Sequence, residues 1–127
     1  MKRSSYRDLV VWQKGMDLIE KVYRASRRFP EEERYGLTAQ MRRAAVSIPS
    51  NTAEGHGRRS LRDFLRFLAI ARGSTKELET QILIARRLGY LNDENEAALI
   101  SLTDQVSRLI IGLASSLKKG SPNNEGS

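Results

Sequence analysis

The chain has 127 residues, with 22 lysines and arginines against 15 aspartates and glutamates, a formal net charge of +7 and a pI near 10.1. That length suits one domain, and a chain of this size buries about two-thirds of its unfolded surface, so it folds without covalent staples. The absence of cysteine excludes disulfides, thiolate metal sites and cysteine nucleophiles, and the single histidine, His56, argues against multi-histidine metal centres and a Ser-His-Asp triad.

The first periodic segment carries Leu9, Trp12, Met16, Ile19 and Tyr23 at spacings of 3 and 4, widened by Val11, Leu18, Val22 and Ala25. This predicts a helix over 6–28 with Trp12 in the core, Asp8 in its first turn, and an end enforced before Pro30. Pro30 opens a new turn with Glu31, Glu32 and Glu33 at its positive pole, and Gly36 breaks it. A second helix is expected over 37–56, with Leu37, Met41, Ala44, Ala45, Ile48 and Thr52 facing inward. Pro49 lies inside it, withdraws one donor and clashes with the carbonyl of Ala45, so a bend is expected there, with Ser47 and Ser50 available to the freed groups. Gly55 and Gly57 are read as its stop, with His56 solvated between them.

Ser60 is a good N-cap, with Asp63 where a capping-box acid belongs. The third helix, expected over 60–88, runs Leu61, Phe64, Leu68, Ala71, Thr75, Leu78, Ile82 and Ala85 at heptad-like spacing and ends at Gly89, a left-handed cap. Asn92 caps a fourth helix over 92–118, whose stripe is Leu99, Leu102, Val106, Leu109, Leu113 and Leu117. No strand alternation or repeat occurs. The fold class is therefore all-α: an antiparallel up-down four-helix bundle over 1–119, bent near Pro49, followed by a disordered polar tail over 120–127. No run of 18 apolar residues exists, so no membrane span is expected, and Asp8 and Lys14 interrupt any signal-peptide pattern; the cytoplasm is the expected compartment.

The third helix has a second face. Ile70, Ile84 and Leu88 lie opposite its core stripe, with Gly73 and Glu77 between them, and this row is read as a subunit interface with Gly73 as a close-approach notch. Charge is uneven as well. Residues 37–76 carry a net +6 and residues 92–117 a net −3. Arg59, Arg62 and Arg66 share one face at the start of the third helix, with Arg58 beside them, where free backbone N–H groups and the helix dipole also favour anions. Arg42 and Arg43 extend this patch if the second and third helices place them near it. No aromatic residue is seen to interleave with these arginines, so phosphate contact and not base stacking is the expected mode. The alternative reading of the same arginines is a solvated or salt-bridged face, paired for example with Glu31–Glu33 of a neighbouring subunit. Glu54 and Asn51, one turn apart, are read as polar contacts for nearby arginines. No catalytic constellation, phosphate-cradling loop, metal site or cofactor motif is found, and no enzyme is expected.

Several long motifs occur in order: Leu9-Val10-Val11-Trp12-Gln13-Lys14, Tyr35-Gly36-Leu37-Thr38, Gln40 through Asn51, Ala53-Glu54-Gly55, Phe64-Leu65-Arg66-Phe67-Leu68, Ala71-Arg72-Gly73-Ser74 and Glu77 through Gln81. Over roughly Tyr6 to Leu117 they resemble the bacterial four-helix-bundle proteins encoded in intervening sequences of 23S ribosomal RNA genes, with Thr52 where that family commonly has Ile. The resemblance implies a ring-shaped homopentamer with a basic surface. It also implies kinship with the accessory protein of diversity-generating retroelements, which binds nucleic acid and a reverse transcriptase. It names no catalytic residue. Two function classes stand: a pentameric module binding nucleic acid, RNA first, and a protein-interaction scaffold for an acidic or reverse-transcriptase-like partner.

Overall fold

The computed structural model describes residues 5–120. Four helices form the fold: α1 (Val10–Ser26), α2 (Leu37–His56), α3 (Leu61–Arg87) and α4 (Asp93–Gly120), with 3-10 turns at Tyr6–Asp8 and Glu31–Glu33 and no strand among the described residues. The polar tail expected over 120–127 lies outside the described residues except for Gly120, which ends α4.

Neighbouring helices run antiparallel. Pro49 of α2 meets Gly15 of α1, and Arg42 reaches back to Ser26. Ser47 bonds Ser74 at 2.8 Å, while Gly55 meets Phe64 and Phe67, which fixes α3 against α2. Arg86 near the end of α3 bonds Asp93 at the start of α4, and α4 returns along α1 so that Leu109 and Leu113 lie by Val10 and Asn95 lies by Arg24. No Cα of α1 comes within 8 Å of α3, nor any of α2 within 8 Å of α4, so these are the diagonal pairs of a square. One end of the square, the double-loop end, carries the α1–α2 and α3–α4 connections. The other, the termini end, carries the α2–α3 loop, the start of α1 and the finish of α4.

Local signals set the helix ends. Ser5 caps the first 3-10 turn and Asp8 returns the bond to the Ser5 N–H, but Leu9 is extended (ψ 125°), so α1 proper starts at Val10 and not at Tyr6. Ser60 Oγ accepts the Asp63 N–H at 3.0 Å, and Asn92 Oδ1 accepts the Asn95 N–H at 2.7 Å. Gly89 stands at φ 81°, and the bonds Tyr90 N–H to Ala85 O and Gly89 N–H to Arg86 O complete a Schellman close of α3. α2 is continuous across Pro49. Thr52 Oγ1 donates to Ile48 O at 2.9 Å, and Asn51 Nδ2 donates to Ser47 O at 2.8 Å.

The core comprises Val11, Leu18, Val22, Met41, Ala45, Ile48, Leu68, Leu78, Ile82, Val106 and Ile110, most of them fully buried. Each such Val, Leu, Ile or Met contributes about 1.5–3 kcal/mol by burial, against about 0–1 kcal/mol for an exposed ion pair, so packing and not surface charge holds the bundle. The inward residues expected on α2 and most of those on α3 are buried, Leu61 only half so. On α1 the expectation is corrected. The buried face is Val11, Gly15, Leu18, Val22 and Ser26, while Met16 and Tyr23 are exposed and Trp12 is half-buried, edge-on to Tyr6 at 5.4 Å. The two arcs differ by one residue, about 100° of helix, and Pro49 and Arg42 select the one that ends in small Gly15 and Ser26. α4 is rotated similarly, burying Leu99, Thr103, Val106, Ser107 and Ile110 while Leu102, Leu109, Leu113 and Leu117 lie at the margin. By length and composition alone α4 is apolar enough to cross a membrane, with a mean hydropathy of 1.3 over its best stretch. Here one face of it is spent on the core.

Candidate nucleic-acid interface

The termini end groups cations with few acids beside them. The short loop between α2 and α3 carries Gly57, Arg58, Arg59 and Ser60, and α3 begins at once, so Arg62 and Arg66 follow on its first two turns. The loop is this tight because Gly55 lets α3 approach. A Cβ on Gly55 would stand 2.7 Å from Phe67 Cβ and 3.2 Å from Phe64 O. Gly55 is thus buried inside α2 and serves close packing, and α2 ends one residue later at His56. His56 is half-buried and edge-on to Phe64 at 5.9 Å, which corrects the expectation of a solvated histidine.

Arg59 and Arg62 are exposed and have no ion-pair partner among the described residues. Arg58 bonds Glu54 at 2.9 Å, as expected of that glutamate, and Arg66 lies 3.9 Å from Asp63. Both pairs are substantially exposed and exchange readily with a polyanion. Asn51 instead bonds Ser47, not an arginine. Asp63 accepts no bond from the Ser60 N–H, so the capping box is half made and its carboxylate faces Arg66.

One aromatic residue does interleave with the arginines. The Arg58 guanidinium lies 4.9 Å from the centre of the Phe67 ring and that of Arg66 lies 4.6 Å from it. Phe67 is half-buried and anchors two long, mobile side chains on one rigid surface. The sequence signal was present in Arg66-Phe67, but only the return of the loop brings Arg58 to the same ring. Beside it, Leu9, His56, Arg58, Arg59, Leu61 and Phe64 line an open hollow of about 370 Å³.

Arg42 and Arg43 do not join this site. Arg43 is thirteen residues before His56, so roughly 20 Å of helix separates it from the loop. Arg42 Nε donates to Ser26 Oγ at 2.9 Å, and its guanidinium sits 4.4 Å over the Tyr23 ring, so it ties α2 to the end of α1. In their place the topology supplies Lys118 and Lys119, in the last turn of α4 at the termini end. Those lysines are far from the arginines in sequence, and only the antiparallel return of α4 brings them there.

The opposite end is mixed in charge. Arg86 bonds Asp93 and lies 4.0 Å from Glu96, and the hydrogen bond to Asp93, then its charge, holds the guanidinium above its ordinary range. Tyr90 donates to Glu33 Oε2 at 3.0 Å, and that bond raises the phenol. No group of three acids or histidines placed to hold a metal occurs among the described residues.

Ile70, Gly73, Glu77, Ile84 and Leu88 all lie exposed along α3, with open space in front of Gly73. The molecule is an all-helical, strongly basic four-helix bundle with an uncovered aliphatic row. Residues 7–112 match the model of the 23S rRNA-intervening sequence proteins, and the chain belongs to that family. A crystal structure of a protein of unknown function from the S23 ribosomal protein family of Bacteroides thetaiotaomicron superposes with a TM-score of 0.75 at 22% identity, over 83% of this chain and 98% of that one. At that identity the likeness is one of fold. No curated protein matches the chain.

Proposed function

We propose that this protein is a non-enzymatic, basic, homo-oligomeric scaffold that binds nucleic acid, RNA first, mainly through phosphates at the termini end. The observation that supports this is the grouping of Arg58, Arg59, Arg62 and Arg66 around the N-terminus of α3, with Arg59 and Arg62 without an ion-pair partner among the described residues and Lys118 and Lys119 at the same end. Phosphate there meets charge, forked donors and the helix dipole together. A pentamer, with Ile70, Gly73, Glu77, Ile84 and Leu88 in its contacts, would repeat the patch five times around a ring and multiply its attraction for a polyanion.

The test is equilibrium binding of labelled RNA and DNA strands across a salt series. Tight binding at about 50 mM salt should fall steeply as salt rises, with little sequence preference. Replacing Arg59, Arg62 and Arg66 together by Gln should flatten the salt slope while leaving helicity and oligomer mass intact. Absence of binding at low salt would remove the reading.

A second reading, a scaffold for an acidic protein partner, is favoured by the α3/α4 groove. This apolar trough of about 290 Å³, floored by Leu65, Leu68, Ile110 and Ala114, has Arg72 and Lys118 at its edges. Collapse of the triple-Gln variant to monomers would favour subunit contacts as the role of the arginines.

A further inference from the structure

The double-loop end presents two patches of opposite sign that do not meet within one subunit. The first is a corner made by Glu31, Glu32 and Tyr35. Tyr35 is 85% exposed, the most exposed large apolar side chain described, with the Arg34 guanidinium 5.4 Å from its ring centre. Glu32 has no ion-pair partner among the described residues, and Glu31 makes one exposed contact with Arg34 at 3.4 Å. The corner is held stiffly. Glu33 Oε1 accepts the Leu37 N–H at 3.0 Å, and its other oxygen accepts the Tyr90 hydroxyl at 3.0 Å. Tyr90 in turn packs on Phe29 at 5.4 Å. A backbone fixed in this way loses little conformational freedom on docking, and the ordering cost falls on the three exposed side chains.

The second patch is a groove of about 250 Å³ between α1 and α4, lined by Lys21, Arg24, Arg28, Asn95, Ala98 and Leu99. Lys21 and Arg28 have no ion-pair partner among the described residues, and Arg24 has only an exposed contact with Glu20 at 3.4 Å. Three cations thus line a trough whose apolar surface comes from Ala25 and Ala98, over the buried Leu99, which suits an occupant that is acidic and aromatic. Lys21 is five residues before the end of α1, so the groove spans roughly 8 Å of the double-loop end, the height at which the corner sits.

Two different, complementary patches at one height make a head-to-tail contact, the kind that closes into a ring when the rotation between neighbours divides a full turn. We infer that the Glu31–Glu32–Tyr35 corner of each subunit seats in the α1/α4 groove of the next, carboxylates on Lys21, Arg24 and Arg28 and the tyrosine ring against Ala25 and Ala98. The inference rests on the homo-oligomer reading above and adds a contact to the α3 row proposed there. It leaves the arginines of the termini end outside the contact and open to a polyanion.

The test is the solution mass of the full chain by light scattering. Lys21→Glu with Arg28→Glu should shift the mass toward the 14.4 kDa of one chain, and Glu31→Lys with Glu32→Lys should do the same. Combining all four should restore the wild-type mass, because the pairs re-form with signs exchanged. Tyr35→Ser alters no charge and no buried residue, and it should lower the mass at low protein concentration while circular dichroism stays unchanged. Wild-type mass in either charge-reversed pair or in Tyr35→Ser, or failure of the combined variant to reassemble, overturns the inference. A wild-type protein that is itself monomeric removes the oligomer reading, a result distinct from an oligomer that ignores these substitutions.

Discussion

Gly15 faces the ring of Pro49 so closely that a Cβ on the glycine would stand 3.3 Å from both Cβ and Cδ of the proline. Proline inside a helix forfeits a hydrogen bond and presents a rigid ring, and α1 covers that ring with the one residue that has no side chain. The contact sets the rotation of α1. With Gly15 against Pro49, Val11, Leu18 and Val22 point to the core and Met16 and Tyr23 point to solvent.

Gly55 makes the tighter approach. Gly55→Ala forces its methyl group into Phe67 Cβ and the backbone of Phe64, so it should destabilise by roughly 1–3 kcal/mol, less the helix propensity that alanine returns. Gly112→Ala, with open space in front of it, should stabilise the monomer fold by about 0.5–1 kcal/mol. Urea titrations of the two variants should move in opposite directions.

Gly73 is the corresponding test of the α3 row. Nothing lies within 4 Å of its hypothetical Cβ in one subunit, so Gly73→Leu should leave helicity intact. If the notch receives another backbone, the variant's mass in sedimentation velocity should fall; an unchanged mass takes Gly73 out of the contact.

Phe67→Leu separates positioning from charge. The ring holds Arg58 and Arg66, but it carries no charge itself. Nucleic-acid affinity should therefore drop at every salt concentration while the slope against salt stays that of the wild type. Each Arg→Gln change should instead reduce the slope by about one.

Arg42→Ala should act on stability alone. It removes the bond to Ser26 and the contact with the Tyr23 ring, for a loss of about 1 kcal/mol by denaturant titration. RNA affinity should not change, because Arg42 lies near the double-loop end.

Tyr90 gives a pH signature. Its hydrogen bond to Glu33 raises the folded pKa above the ordinary value near 10, since ionised Tyr90 would both lose the bond and face a carboxylate. The stabilisation is fully present below pH about 10 and is lost as pH rises through the folded value. The stability difference between wild type and Tyr90→Phe should accordingly be constant at neutral pH and shrink in alkali.

The helices, most of their ends and the inward faces of α2 and α3 were legible in the sequence, because hydrophobic spacing, Ser60, Asn92, Gly89 and Pro30 act through neighbours a few residues away. The rotation of α1 was not. It carries two apolar arcs side by side, and periodicity weighs them equally when the deciding contact is with Pro49, thirty-four residues on. The arginine cluster at Arg58, Arg59, Arg62 and Arg66 was equally local, set by a loop and two helical turns. What surrounds it was decided only by tertiary structure: Phe67 under both Arg58 and Arg66, Lys118 and Lys119 returning to the same end, and Arg42 drawn away to Ser26. Spacing along one helix fixes which side chains share its face. Contacts between segments distant in the chain depend on how the helices rotate and cross, and only the packed core sets that.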